Sequence, residues 1–311
     1  MDRSAAVPSS PLARAEQFVW LTARVLEQRR FAYHFLGGGA DPVETALAAY
    51  LGDDGGYGHA LEPDLRGPHS RPQHAAHALR VLDGIGRCAG RRVELLCRYL
   101  TEITTPDGAL PAHRPAPPGA AVASWNPAAD GSAGDLRATG PVVGLLHRND
   151  VWHAWLFRAT DFCWAAVAAL AEGAAPRPRE VLAAAAFLDG APDRPRALAA
   201  AERLGRRVRK LGLVTLDPEP AEDRPPAEGR ARGERIFVHE MARTPDSSAR
   251  PWFTDAEVER SLDFLAASQG EDGGWPLPHL RPGPPGAALE RRPIVTIEAL
   301  LTLRAYGRAL D

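Results

Sequence analysis

Apolar residues in this chain recur at steps of three and four, and few stretches alternate with period two, so the pattern is that of amphipathic helices sharing a core. Leu12, Ala15, Phe18, Val19, Leu21, Val25 and Leu26 form a broad stripe that predicts a helix from Pro11 to about Arg30. Asp41-Pro42 supplies an N-cap and first-turn pair for a helix running to Leu51. Further helices are expected over Arg71–Gly86, Arg91–Ile103, Thr139–Leu146, Trp152–Glu172, Glu180–Leu188 and Arg196–Leu211. Thr254-Asp255 caps another that runs to Ser268, and Ile294–Tyr306 follows Pro293. Ile236–Pro251 is ambiguous. Residues 111–137, rich in Pro, Ala and Gly, read as a long surface loop, and 217–235, crowded with Pro and charge, as a mobile insertion. The sum is about eleven helices in an all-α chain with a single domain over 1–311.

One stretch repeats. LGDDGGYGHALEPDLRGPHSRPQ, from Leu51 to Gln73, joins two of these helices, and ASQGEDGGWPLP, from Ala267 to Pro278, restates its first half. Thr105-Pro106-Asp107-Gly108-Ala109-Leu110-Pro111 is a worn third version. An acidic-Gly turn recurring between helices marks a repeat architecture, in which one hairpin cannot bury its apolar face alone. Longer amphipathic helices ending in such a turn alternate with shorter Ala/Leu-rich ones that start after Pro. Antiparallel pairs of this kind curl into a solenoid or close into a ring, with the shorter helices inside.

Composition narrows the setting. The 311 residues are 45% hydrophobic, enough for a large core, and the formal charge of −2 gives no reason to expect nucleic acid or an anionic membrane as partner. No run approaches the roughly 20 apolar residues of a membrane span. Cys88, Cys97 and Cys163 are a sparse, odd set that suggests reduced thiols and a cytoplasmic location. Lys210 is the sole lysine, which points to a GC-rich bacterial genome.

Phe264-Leu265, Gln269 and Gly273-Gly274-Trp275, preceded by Arg260, resemble the QW repeat of squalene–hopene cyclases and their relatives, and the related repeat of protein prenyltransferase β subunits. Gly55-Gly56-Tyr57 looks like a degenerate copy with Tyr in place of Trp. The resemblance implies an α/α toroid of about five to six helical hairpins around an apolar cavity. It also implies a terpene cyclase-like or prenyltransferase-like enzyme acting on an apolar, isoprenoid-type small molecule. The motif is structural in those families. The Asp-x-Asp-Asp-Thr acid of the cyclases is missing here, as is an Asp-Asp-x-x-Asp site, so their mechanism does not carry over. Asp161-Phe162-Cys163 spells half of the prenyltransferase zinc site, but on a helix positions i and i+2 point about 200° apart. No metal or other cofactor is therefore assigned.

Candidate chemistry concentrates after the first turn. The Glu62-Pro63 step favours extended backbone, which would set Glu62, Asp64 and Arg66 on one face. Two carboxylates beside an arginine can split into an acid and a base. The alternative is a plain Asp64–Arg66 salt bridge. On the next helix Ser70, His74, His77 and Val81 share a face, so His74 and His77 join Glu62 and Asp64 as candidate catalytic residues. His59, His74 and His77 could also gather a metal, or the two helical histidines could be an ordinary core pair. His59 and Arg66 are candidate ligand contacts, as are Trp152, Trp155 and Trp164, whose rings could line a cavity or simply pack. Two alternatives to an isoprenoid enzyme follow: a non-catalytic binding or interaction module on the same fold, and a glycan-active toroid using two carboxylates.

Overall fold

The computed structural model describes residues 10–112, 133–218, 235–277 and 286–311. Among them the chain forms twelve α-helices and no strand: α1 (Pro11–Thr22), α2 (Val25–Phe35), α3 (Ala40–Ala48), α4 (Pro72–Gly84), α5 (Gly90–Glu102), α6 (Leu136–Arg148), α7 (Trp155–Glu172), α8 (Pro178–Gly190), α9 (Arg194–Leu211), α10 (Val238–Met241), α11 (Asp255–Ala267) and α12 (Ala287–Ala305). The all-α expectation holds. Most of the proposed surface loop and of the 217–235 insertion lies outside the described residues. No helix among those described is long and apolar enough to cross a membrane.

Several boundaries differ from the periodicity, two of them for a visible physical reason. The single helix expected over 11–30 is divided at Ala23-Arg24, both extended. No glycine or proline marks the break. Tertiary contacts make it instead: Arg24 forks onto Glu27 at 2.8 and 2.9 Å and donates to the carbonyls of Ala60 and Leu61. At the other end α12 starts at Ala287, so Pro293 lies inside the helix rather than before it. Proline frees the carbonyl four residues back, that of Leu289; Leu289 is exposed, so water can satisfy that group. Ile236–Pro251 resolves into the one-turn α10 and the start of a 3₁₀ turn, Arg250–Trp252.

The repeated turn has one geometry in all three copies. In the first, Gly52 N donates to Gly56 O, Gly55 N to Gly52 O, and Gly56 N to the Asp54 carboxylate. The same three bonds link Thr105, Asp107, Gly108 and Ala109, and again Gly270, Asp272, Gly273 and Gly274. The fourth residue of each turn, Gly55, Gly108 and Gly273, is a glycine at positive φ, +77°, +88° and +88°. Only glycine adopts that conformation cheaply. Each of these glycines also abuts the backbone of another helix: Leu95 of α5, Arg158 of α7, and Arg14 of α1. The turn thus both stops its own helix and docks it on a neighbour.

Helices α4, α6 and α8 are buried on most of their surface. α6 and α8 approach so closely that a Cβ at Gly140 or Gly144 would run into the carbonyls of Ala183 or Ala186. α4 packs on α6, α6 on α7 and α8, α7 on α9, α11 on α12, and α12 on both α1 and α2. The start of α1 meets the segment after α12: Leu12 N donates to Leu310 O at 2.9 Å. Gln269 strengthens the junction, donating to the carbonyls of Pro11 and Gly273 while accepting from Arg14 at 2.6 Å. Trp275 is 1% exposed, with its indole N–H on Leu265 O.

Candidate functional site

The loop from α3 to α4 is pinned at both ends of Tyr57: Tyr57 pairs with Leu51, and its carbonyl accepts from Arg71 N. His59 and Ala60 then take left-handed backbone, φ 52° and 60°, a costly conformation for non-glycine residues. Arg24 holds the Ala60 and Leu61 carbonyls there. A turn follows in which Leu65 N donates to Glu62 O, so the extended run expected to align Glu62, Asp64 and Arg66 does not form. Arg66 pairs with Glu290 instead. Asp64 is taken by Arg291 of α12 at 2.7 Å, 227 residues away in sequence, not by Arg66.

Glu62 is the hub. Its carboxylate meets His77 Nδ1 at 3.0 Å, Arg80 at 3.3 Å and Arg291 at 3.4 Å. Burial alone would raise its pKa, but His77, Arg291 and Arg80 outweigh burial and hold the carboxyl well below the usual range. Burial acts on His77 in the opposite sense and prevails over the attraction of Glu62, pushing the imidazole pKa down. The consistent state at neutral pH is a neutral ring donating Nδ1–H to an ionised Glu62. Nε2 is then the basic nitrogen.

A second carboxylate lies on α12. Glu298 pairs with Arg243 and stands 3.7 Å from Arg30. Burial pushes its pKa up, yet Arg243, Arg30, Arg80 and His77 together bring it down to about 2. The Glu298 and Arg243 side chains keep 25% and 54% of their surface and Arg80 keeps 43%, so this end of the cluster is reached by solvent. Arg30, Arg80, Arg243, Arg291 and Glu298 were not singled out by the sequence, although Glu27 and Arg30 sit beside Leu26 and Phe31 in the buried face of α2, where charge needs a partner.

The other candidates are placed elsewhere. His74 is fully buried, its Nδ1 on Tyr57 O at 3.1 Å and its Nε2 without a partner among the described residues; burial pushes its pKa down to about 4. His59 is exposed and does not join the other two histidines. Trp152 is 84% exposed and packs edge-on against Phe157. Trp155 is buried in the core. Trp164 lies between α7 and α9 against Phe187, beneath the Arg196 guanidinium at 4.1 Å, beside a cavity of about 50 Å³. None of these three rings is among the Glu62 contacts. Asp161 faces solvent while Cys163 is in the core, so the pair does not share a metal. The described residues contain no group of three His, Cys, Asp or Glu arranged to hold a metal ion. Cys88 and Cys97 are buried free thiols whose pKa burial raises to about 12.

No family model matches the chain. No characterised protein matches it in sequence. Among solved structures the chain is similar to a protein from Actinoplanes known from its crystal structure, 14% identical, over 96% of this chain and 98% of that one, with a TM-score of 0.56. At that identity the likeness shows a shared fold and nothing of the chemistry.

Proposed function

We propose that the chain is an α/α toroid of six helical hairpins whose interior holds a small anionic molecule, with the Glu62–His77 pair as its base. Support for the ring comes from contacts that pass from neighbour to neighbour. The His34 ring of α2 lies against Gly84 of α4, Asp83 of α4 meets Asn149 after α6, and α6 packs on α8. Asp189 of α8 then accepts from Ser247 and Ser248, Arg243 pairs with Glu298 of α12, and Glu298 returns to Arg30 of α2.

One observation carries the functional reading: the Glu62 carboxylate meets His77 Nδ1 at 3.0 Å within a cluster that also gathers Arg80, Arg291, Glu298, Arg243 and Arg30. Nε2 of His77 would accept a proton from the bound molecule, and the Glu62 carboxylate would stabilise the imidazolium that forms. Protonating an alkene or a leaving sugar oxygen requires a carboxyl kept neutral. Glu62 and Glu298 are both driven the other way, so proton abstraction is favoured over the cyclase-like and glycan-active readings. The charged lining likewise suits an anion better than a bare hydrocarbon.

The test is solvent exchange. A panel of phosphorylated and carboxylated small molecules, with isoprenoid diphosphates and oligosaccharides beside them, is incubated with the full chain in D₂O and read by mass spectrometry. Deuterium should enter one anionic member, and Glu62→Gln and His77→Gln should each slow entry by about 10²-fold or more. Binding without exchange would favour the non-catalytic module. Exchange that survives in His77→Gln would overturn the assignment of the base.

A further inference from the structure

We propose that the Glu298 side of this interior is a subsite for an oxyanion of the phosphoryl kind, seated by Arg30, Arg80 and Arg243. The inference rests on the interior-ligand reading above and names the class of molecule it admits.

Arg30 is the first ground. Its side chain is 5% exposed and its nearest carboxylate oxygen, on Glu298, is 3.7 Å away. Nε and Nη1 are buried with no hydrogen-bond partner among the described residues. Unpaired donors on a buried cation are among the costlier features a fold can retain. A ligand oxygen drawn toward this guanidinium would relieve them.

Charge is the second ground. Arg30, Arg80, Arg243 and Arg291 outnumber Glu62, Asp64 and Glu298 by one positive charge with His77 neutral, and Arg80, paired with Glu62 at 3.3 Å, also acts on Glu298. An anion fits that excess, and a phosphoryl group brings more oxygens to the guanidinium forks than a carboxylate does. Guanidinium forks suit the oxygens of such a group, and they stay charged at every physiological pH.

Accessibility is the third. Arg243 and Arg80 keep 54% and 43% of their side-chain surface, so two of the three forks remain reachable. Glu298 occupies Arg243 and would compete with an incoming anion. The outer face offers a rival: an open groove of about 300 Å³ between α7 and α9, lined by Arg203, Arg206, Arg207 and Lys210. There Arg206 is tied to Glu202, and Arg207 caps the α7 end through the carbonyls of Ala171, Gly173 and Ala174. Arg207 leaves its Nε buried without a partner there but its other two nitrogens are occupied, whereas Arg30 leaves both Nε and Nη1 unpartnered among the described residues.

Inorganic phosphate, pyrophosphate and acetate are titrated into the full chain at constant ionic strength and followed by calorimetry and ³¹P line width. Phosphate and pyrophosphate should bind saturably and acetate much more weakly. Arg243→Gln should weaken phosphate by about tenfold or more, the loss expected for one charged hydrogen-bonding partner. Glu298→Gln, which removes the competitor, should tighten it, and Arg203→Gln on the outer groove should leave it unchanged. Absence of saturable phosphate binding, or loss in Arg203→Gln with none in Arg243→Gln, would overturn the proposal. The two readings fail separately. Exchange into a molecule without phosphate, in a protein that ignores phosphate, sinks the subsite and keeps the base. Phosphate binding as described, with no exchange anywhere in the panel, keeps the subsite and removes the base.

Discussion

His34, His74 and His239 are each held at about 4, chiefly by burial. In an unfolded chain they would titrate near 6.5. Between those values the unfolded state binds protons that the folded state does not, so stability is complete above about 6.5 and lost as pH falls toward 4. The urea midpoint should therefore drop steadily from pH 7 to pH 5, with each histidine adding at most ~1.4 kcal/mol per pH unit to the slope. His74→Asn, which keeps a donor for Tyr57 O, should flatten that slope; a variant as acid-sensitive as the parent would show that His74 is not one of its sources. Glu62 and Glu298 push in the same direction at lower pH, since depressed carboxyls contribute stability above their unfolded pKa and lose it below. The density of polar groups from His59 to His77 was visible in the sequence, and Glu62 with His77 does form a unit. What the sequence hid was the other half of the cluster. Arg291 and Glu298 reach Glu62 and Arg30 only because α12 lies beside α2, a relation no local pattern encodes.

At the scale of elements the acidic-Gly turn was the most readable feature, because its hydrogen bonds are local and its glycines are needed for a backbone angle. Even the Thr105–Leu110 version, stripped of its second glycine and its aromatic, keeps the three bonds. Breaks made by distant contacts were not readable, as the split at Ala23-Arg24 shows. The turn makes a graded prediction. Gly86 is also at positive φ but faces open space, so Gly86→Ala should cost about 1–2 kcal/mol of strain. Gly273→Ala adds a collision with the Arg14 carbonyl and should cost about 2–4 kcal/mol. Equal losses in chemical denaturation would mean that docking on α1 contributes nothing beyond the turn itself.

At the scale of the whole molecule, the pairing of α1 with α12 and the Gln269 clamp give the first helix a neighbour on either side. An open array of repeats frays from its ends, whereas the ring proposed above, with no free terminal repeat, should unfold as one unit. Far-ultraviolet circular dichroism and tryptophan fluorescence should follow a single urea transition. Gln269→Ala should shift the midpoint without splitting it, and an early, separate loss of the first two helices would contradict the closure. The Leu12–Leu310 bond also separates the order of the helices in space from their order along the gene. A circularly permuted chain, with its old termini spliced and new ones cut at the open Gly86 corner, would inherit every contact that surrounds Glu62 and Glu298.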